Sequence, residues 1–113
     1  MFISAQTKGK LFETLARVLL RLKGCRILAK NSRTAGIEAD ILALKGRTLL
    51  LVEVKYRQSR DKAHKALHPK QRQRLLRQAA ELASRYPHIE NVRLDVVLFF
   101  PHAPFVEYLA NPL

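Results

Sequence analysis

Residues 38–56 read EADILALKGRTLLLVEVKY, and this stretch predicts two β-strands joined by a tight turn. The runs Glu38 to Lys45 and Thr48 to Tyr56 are predicted strands, because each is a short, largely apolar segment and turn residues separate them. Gly46-Arg47 lies between them. A two-residue loop of type II′ prefers glycine at its first position. Such a loop pairs Lys45 with Thr48, so the residue numbers of every cross-strand pair sum to 93.

This register places acidic side chains opposite each other. Asp40 faces Glu53, and Glu38 faces Lys55. Because side chains alternate along a strand, all four are expected on one face of the hairpin. A four-residue loop would keep this arrangement, whereas a three-residue loop would put Asp40 and Glu53 on opposite faces. Directly opposed side chains have Cβ atoms ~4.5–5.5 Å apart, so the register predicts a compact charged cluster.

Two facing carboxylates repel and destabilise a sheet unless another group offsets them. Mg²⁺ prefers oxygen ligands and commonly binds one or two carboxylates together with water and substrate phosphates. Asp40 and Glu53 therefore predict a metal site or a proton-sharing site. Burial lowers the pKa of a lysine, and neighbouring carboxylates raise it. Lys55 is accordingly either a positioned cation or a proton-transfer group.

The rest of the chain predicts a single α/β domain over residues 1–113. Apolar residues recur every three or four positions in two segments, which indicates two amphipathic helices. Gly24 is the expected end of the first helix, and Pro69 is expected at the start of the second. The predicted helices cover Gln6 to Lys23 and Pro69 to about Tyr86, and further strands cover Arg26 to Lys30, Val92 to Phe99 and Phe105 to Leu109.

The chain is strongly basic, with 21 Lys and Arg against 9 Asp and Glu and a net charge of +12. Such an excess favours a polyanionic partner, above all nucleic acid. The segment from Lys55 to Arg77 holds nine of these cations and one acid, although a solvated charged face is the alternative. Nothing resembles a helix-turn-helix or a zinc finger, so contacts to the phosphate backbone are expected. One cysteine and no signal peptide or long apolar run predict a reducing cytoplasm without membrane contact.

Asp40, twelve intervening residues and then Glu53-Val54-Lys55 resemble the PD-(D/E)XK nuclease signature. Most of the chain is similar to the YraN-like uncharacterised bacterial proteins, which are related in fold to archaeal Holliday junction resolvases. Two departures concern loop geometry. Phe12 stands where the family usually has glycine, and its Gly-Gly-Glu-Ile-Asp is here Gly36-Ile37-Glu38-Ala39-Asp40. Other matching residues are Glu13, Asn31-Ser32-Arg33, Lys70-Gln71 and Arg93-Leu94-Asp95.

The resemblance implies a restriction-endonuclease-like core, with a mixed sheet of four to five strands flanked by two main helices. It implies a nuclease dependent on Mg²⁺ or Mn²⁺, in which Asp40 and Glu53 bind the metal and Glu13 completes its ligands. Lys55 would orient the attacking water or stabilise developing charge. The predicted nucleic-acid contacts, from the charge pattern and the resemblance together, are Arg57, Arg60, Lys62, Lys70, Gln71, Arg72 and Arg74.

Several alternatives stay open. Glu13 could pair with Arg17 one helical turn away, and Glu38 with Lys55 could be a plain cross-strand ion pair. Asp95 could support the site or pair with Arg93. The whole protein could be a nucleic-acid-binding module with little or no catalysis, or a basic structural protein of a ribonucleoprotein. DNA is favoured over RNA as the partner, and a homodimer is left open.

Overall fold

The computed structural model describes residues 5–32, 39–58 and 69–110, which form two helices and five strands. The α/β fold class and the mixed five-stranded sheet are confirmed. The bounds of β3 are as predicted, and every other element bound lies within three residues of its prediction. The elements are α1 (Ala5–Leu22), β1 (Arg26–Ser32), β2 (Ala39–Lys45), β3 (Thr48–Tyr56), α2 (Pro69–Ala83), β4 (Asn91–Phe99) and β5 (Val106–Ala110).

Helix ends follow local backbone chemistry. After α1, the Cys25 N–H donates to the carbonyl of Leu20 and the Gly24 N–H to that of Arg21. Gly24 has φ 88°, so it is the left-handed glycine of a Schellman motif, as its sequence position predicts. Helix α2 stops at Ala83 and not near Tyr86, because the last N–H groups before Pro87 bond three residues back and tighten the turn.

The β2–β3 hairpin has the predicted register. Five pairs, from Lys45↔Thr48 to Ile41↔Val52, all sum to 93. Gly46 has φ 61°, and Arg47 is not among the residues of positive φ. That combination fits a type II′ turn and excludes type I′, which needs positive φ at both central positions.

The sheet has the order β1-β2-β3-β4-β5, and only the β3–β4 pair is parallel. Helix α2 forms the crossover between these two strands. Its end near Leu82 lines a cavity with Leu44 and Leu49, beside the hairpin turn. The beginning of α2 therefore lies toward the opposite edge, where β3 and β4 end. Open α/β sheets commonly bind ligands outside the carboxyl ends of their parallel strands.

The two helices cover opposite faces of the sheet. Ala16 of α1 packs in a cluster with Leu50, whereas Leu75 of α2 packs in a cluster with Leu51. Leu50 and Leu51 are both fully buried, each contributing about 1.5–3 kcal/mol relative to exposure. Strand β3 is therefore buried on both faces. The charged residues of β3, Glu53 and Lys55, are gathered toward its carboxyl end.

Candidate metal centre

The backbone pairing of β2 with β3 ends just before Asp40 and Glu53. The backbone ladder stops at Ile41↔Val52, so the predicted Asp40–Glu53 pair is not part of it. Instead, the N–H of Val54 donates to Oδ2 of Asp40 over 2.8 Å. The Asp40 carboxylate thus takes the place of a backbone acceptor. A hydrogen bond between a backbone N–H and a side chain therefore joins β2 to β3 here, in place of the predicted backbone pair.

Strand β2 also departs from strict alternation at Asp40. Ile41 packs on the α1 face of the sheet, and alternation would place Ala39 on that face too. Ala39 belongs instead to the cluster on the α2 face, together with Leu42. The regular pleat is therefore broken next to Asp40, although the side chains of Asp40 and Glu53 still hydrogen-bond to each other. Glu38 lies outside the described residues.

Glu53 is buried beside Asp40. Its residue is 4% exposed, and among the described residues its Oε1 has no hydrogen-bond partner. Burial, and after it the negative charge of Asp40, raise the pKa of Glu53 to about 8. The Lys55 ammonium acts in the opposite direction, while hydrogen bonding to Asp40 favours the protonated form. The two acids therefore interact closely, and their role as a proton-sharing or metal-binding pair stays a prediction.

Lys55 is close to this pair. Its Nζ lies 3.8 Å from Oε2 of Glu53, and its side chain is one-quarter exposed. The separation is at the outer limit for an ion pair, so the ammonium offsets the buried carboxyl only in part. One side of Lys55 stays accessible to a ligand from solvent. The alternative pairing of Lys55 with Glu38 concerns a residue outside the described ranges.

Glu13 approaches the pair from α1. It is half-buried, and its charge adds to the rise in the pKa of Glu53 as the smallest contribution. Over residues 5–32, 39–58 and 69–110, no group of three or more Asp, Glu, His or Cys side chains could hold a metal ion. The structure therefore gathers Asp40 and Glu53 closely and leaves Glu13 as a neighbouring charge. Arg17, its alternative partner, donates to the hydroxyl of Thr14.

An aromatic stack that the sequence analysis missed connects α1 to the site. The ring of Phe12 lies 5.0 Å from that of Tyr56 and 4.7 Å from that of Phe99, at small interplanar angles. Tyr56 and Phe99 end the parallel strands, so Phe12 fixes α1 against the edge where Glu53 lies. The residue after Phe12 is Glu13. The sequence feature that could have indicated this stack is Phe12, a large aromatic residue where the family usually has glycine.

These residues fit a hard divalent cation. The pair offers carboxylate oxygens, one of them buried without a hydrogen-bond partner among the described residues. Mg²⁺ is commonly bound by one or two carboxylates, with water and phosphates as the other ligands. A cation of this charge would favour ionised Glu53 and remove the repulsion from Asp40. The donor set is consistent with Mg²⁺ or Mn²⁺, whose oxygen preference is shared.

The predicted nucleic-acid contacts are described only in part. Lys70 and Arg74 are exposed in the first turns of α2, and Arg72 is half-buried. Helix beginnings attract phosphate through free N–H groups and the helix dipole. Arg57 follows β3, and its Nη1 donates to the carbonyl of Tyr56 over 2.9 Å. Arg60, Lys62 and the side chain of Gln71 lie outside what the structure describes.

Asp95 belongs to a separate polar cluster. Arg93 donates to both of its oxygens, over 2.9 and 3.0 Å, and the hydroxyl of Tyr108 donates to it as well. Burial raises the pKa of Tyr108, and the hydrogen bond to Asp95 strengthens the effect. Asp95 is side by side with Val52 in the parallel pair, so it lies on the opposite face from Glu53. The alternative of an Arg93–Asp95 pair is the one that the structure shows.

Within the described part of the chain, neither helix has the length and apolar character needed to cross a membrane.

Comparisons with known proteins identify the family. The model described as "Uncharacterised protein family UPF0102" matches residues 12–99. A UPF0102 protein of Parvibaculum lavamentivorans is 46% identical over 101 residues, which are 88% of this chain and 76% of that protein. A UPF0102 protein of Paramagnetospirillum magneticum is 44% identical over 104 residues, covering 87% and 81%.

The solved structure of Archaeoglobus fulgidus Hjc, a Holliday junction resolvase, is a more distant likeness. It is 22% identical, with a TM-score of 0.49, and covers 88% of this chain and 72% of that one. A likeness this distant carries no argument about activity. The family match and the two relatives are much stronger, and they show that this chain belongs to the uncharacterised protein family UPF0102.

Proposed function

We propose that this protein is a divalent-metal-dependent nuclease that cleaves phosphodiester bonds in DNA, with a preference for junction or branched structures. The observation that carries the proposal is the pairing of buried Glu53 with Asp40 at the carboxyl ends of β3 and β4. Both acids are kept in a chain of net charge +12. Carboxylates repel phosphate, so the Asp40–Glu53 pair would oppose phosphate binding unless a bound cation offset its charge.

The roles follow from the chemistry of the side chains. Asp40 and Glu53 would hold Mg²⁺ or Mn²⁺, with Glu13 as a further acid nearby. Such a cation supplies a Lewis acid for the phosphate and lowers the pKa of a bound water. The ammonium of Lys55 would face the phosphate from its accessible side and stabilise charge that develops during cleavage. The hydrogen bond from Val54 to Asp40 would keep that carboxylate oriented.

The beginning of α2 is the proposed contact for the DNA backbone. Lys70 and Arg74 are exposed there, and the helix beginning lies toward the edge of the sheet where β3 ends. The other residues that we propose to contact the DNA are Arg57, Arg60, Lys62, Gln71 and Arg72. Contacts of this kind position a duplex without reading its bases, which suits recognition of DNA by its shape.

The main alternative is a nucleic-acid-binding module of the same fold that does not cleave. Electrostatic binding gains from released counterions at each neutralised phosphate. A carboxylate pair at the same edge would reduce that gain, because it repels phosphate. The Asp40–Glu53 pair therefore favours the nuclease over both the binding module and a basic structural protein.

A direct test is to incubate the purified protein with end-labelled linear, flapped and four-way-junction DNA. Each substrate is combined with Mg²⁺, Mn²⁺ or chelator. Cleavage is expected with either metal and not with chelator, and Glu53→Gln should abolish it. Glu81→Gln is the matched control, because Glu81 is an exposed acid on α2 and undergoes the same replacement of a carboxyl by an amide. Cleavage that survives in chelator, or in Glu53→Gln as in the control, would contradict the proposal.

A further inference from the structure

One side of α1 carries a stripe of exposed apolar side chains. Leu11, Leu15, Val18 and Leu22 follow at intervals of four, three and four residues, and each is between 44% and 80% exposed. With 3.6 residues per turn, this spacing aligns them along the helix. The residues of α1 that face the sheet, such as fully buried Ala16, lie on a different side. The helix therefore has more apolar surface than its packing on the sheet uses.

Three members of the stripe, Leu15, Val18 and Leu22, lie in one wall of a groove of about 470 Å³ that extends to β5, which we name the α1–β5 groove. The other wall is made by Phe99, Phe100, Phe105 and Val106. Phe105 is 59% exposed and has φ 64°, so a large ring is presented to solvent from a left-handed backbone. Every described residue that lines the groove is apolar. Exposed apolar surfaces of this extent mark interaction sites in soluble proteins.

Charge narrows the choice of partner. The chain has a net charge of +12, yet no Lys or Arg is among the described residues of the groove. A site for an acidic partner would place cations along its lining, and this one does not. Two copies of the chain repel each other over most of their surfaces. Two copies can approach each other at a face without charged residues. The apolar lining of the groove therefore suits contact with a second copy.

The stripe is also complementary to itself. If two α1 helices run antiparallel about a two-fold axis, Leu11 faces Leu22 of the second copy and Leu15 faces its Val18, because both pairs of numbers sum to 33. The four-three-four spacing is that of the a and d positions that pack between helices in coiled coils. A two-fold interface requires this kind of self-complementary patch.

We infer that the α1–β5 groove is the interface of a homodimer, in which α1 packs antiparallel against α1 of the second copy. The stripe with Phe105 and Val106 comprises six side chains that are 38% to 80% exposed. At roughly 150–200 Å² for a fully exposed large apolar side chain, they offer on the order of 500 Å² per copy. This area is smaller than the ~800 Å² per partner of standard complexes, so we expect a dimer that dissociates on dilution. This interface does not depend on the nuclease activity proposed above.

Sedimentation equilibrium of the wild-type protein over a dilution series tests the inference. The wild type is expected at twice the chain mass of 13.0 kDa at the high end of the series. Leu15→Glu should shift the protein to monomer, because it places a charge in the seam. Leu28→Glu is the matched control, since Leu28 is 46% exposed on β1, against 44% for Leu15, and lies outside the groove. Circular dichroism checks that both variants keep their helices.

The dependence of dimerisation on salt concentration distinguishes an apolar interface from an electrostatic one. A like-charged pair of chains joined by apolar surface should associate more tightly as the Debye length falls from about 10 Å at 0.1 M salt to about 3 Å at 1 M. A wild-type protein that is monomeric throughout the series would overturn the inference. So would a dimer that weakens with salt, or one that Leu28→Glu dissociates and Leu15→Glu does not.

Discussion

Replacing Glu53 with glutamine should remove most of the pH dependence of folding stability in the metal-free protein. In the folded state, burial and the Asp40 charge raise the pKa of Glu53 from 4.5 to about 8. In the unfolded chain the side chain titrates near its ordinary value. Between these two pH values the unfolded chain has lost the proton that the folded protein retains. Stability therefore falls as pH rises, because the unfolded state binds fewer protons.

The expected magnitude is large compared with the stability of a small domain. The contribution of protonated Glu53 is fully present below about pH 4.5 and is lost as pH rises through about 8. At about 1.4 kcal/mol per pH unit, the difference between the two states amounts to roughly 5 kcal/mol. Domains of this size are stable by roughly 5–15 kcal/mol in total. Without a metal, the wild type should thus be only marginally stable at alkaline pH.

Urea denaturation in chelator, followed by circular dichroism from pH 5 to pH 9, measures this effect. Wild type should lose stability steadily across the series, while Glu53→Gln should stay nearly constant because its amide cannot ionise. Glu81→Gln should follow the wild type, since Glu81 is exposed. Added Mn²⁺ should restore wild-type stability at pH 8 and leave Glu53→Gln unchanged. Equal pH slopes for wild type and Glu53→Gln would refute the reasoning about the buried carboxyl.

Three further outcomes concern the proposed nuclease. Asp40→Asn should abolish Mn²⁺ binding in calorimetry and leave DNA affinity equal or higher, because it removes a negative charge near phosphate; binding heats like those of wild type would exclude Asp40 as a ligand. Lys55→Ala should reduce the single-turnover cleavage rate far more than DNA affinity, because its contact is expected to strengthen in the transition state; a parallel loss in both would assign Lys55 to binding alone. Lys70→Ala combined with Arg74→Ala should flatten the slope of log affinity against log salt by roughly 0.9 for each lost phosphate contact. An unchanged slope, equal to that of the exposed control Arg85→Ala, would place the DNA elsewhere.

The features that the sequence predicted correctly are local ones. The type II′ turn at Gly46 and the period of two along β2 and β3 fix the register of the hairpin, because both depend on neighbouring residues. The helices follow from the spacing of their apolar residues, and the Schellman glycine Gly24 follows from its place after α1. Proximity of Asp40 to Glu53 is also a consequence of this register.

Other features depend on contacts between distant parts of the chain. The parallel pairing of β3 with β4 brings the beginning of α2 toward the carboxyl ends of both strands, and no local pattern specifies it. The backbone pairing of β2 with β3 ends before Asp40, whose carboxylate accepts a hydrogen bond from the N–H of Val54. A regular register does not predict this side-chain contact. Packing of Phe12 between Tyr56 and Phe99 likewise joins three separate elements.

The sequence by itself determined that Asp40 and Glu53 lie close together. The tertiary structure decided the pKa of Glu53. The turn and the register of the hairpin bring Asp40 near Glu53, although regular pairing ends at Ile41↔Val52. The pKa of Glu53 depends on how completely the surrounding layers exclude water, and that is settled by packing on both faces of β3. The same holds for Asp95, which could have joined the site or paired with Arg93. Its partner followed from the face of β4 on which the parallel register placed it.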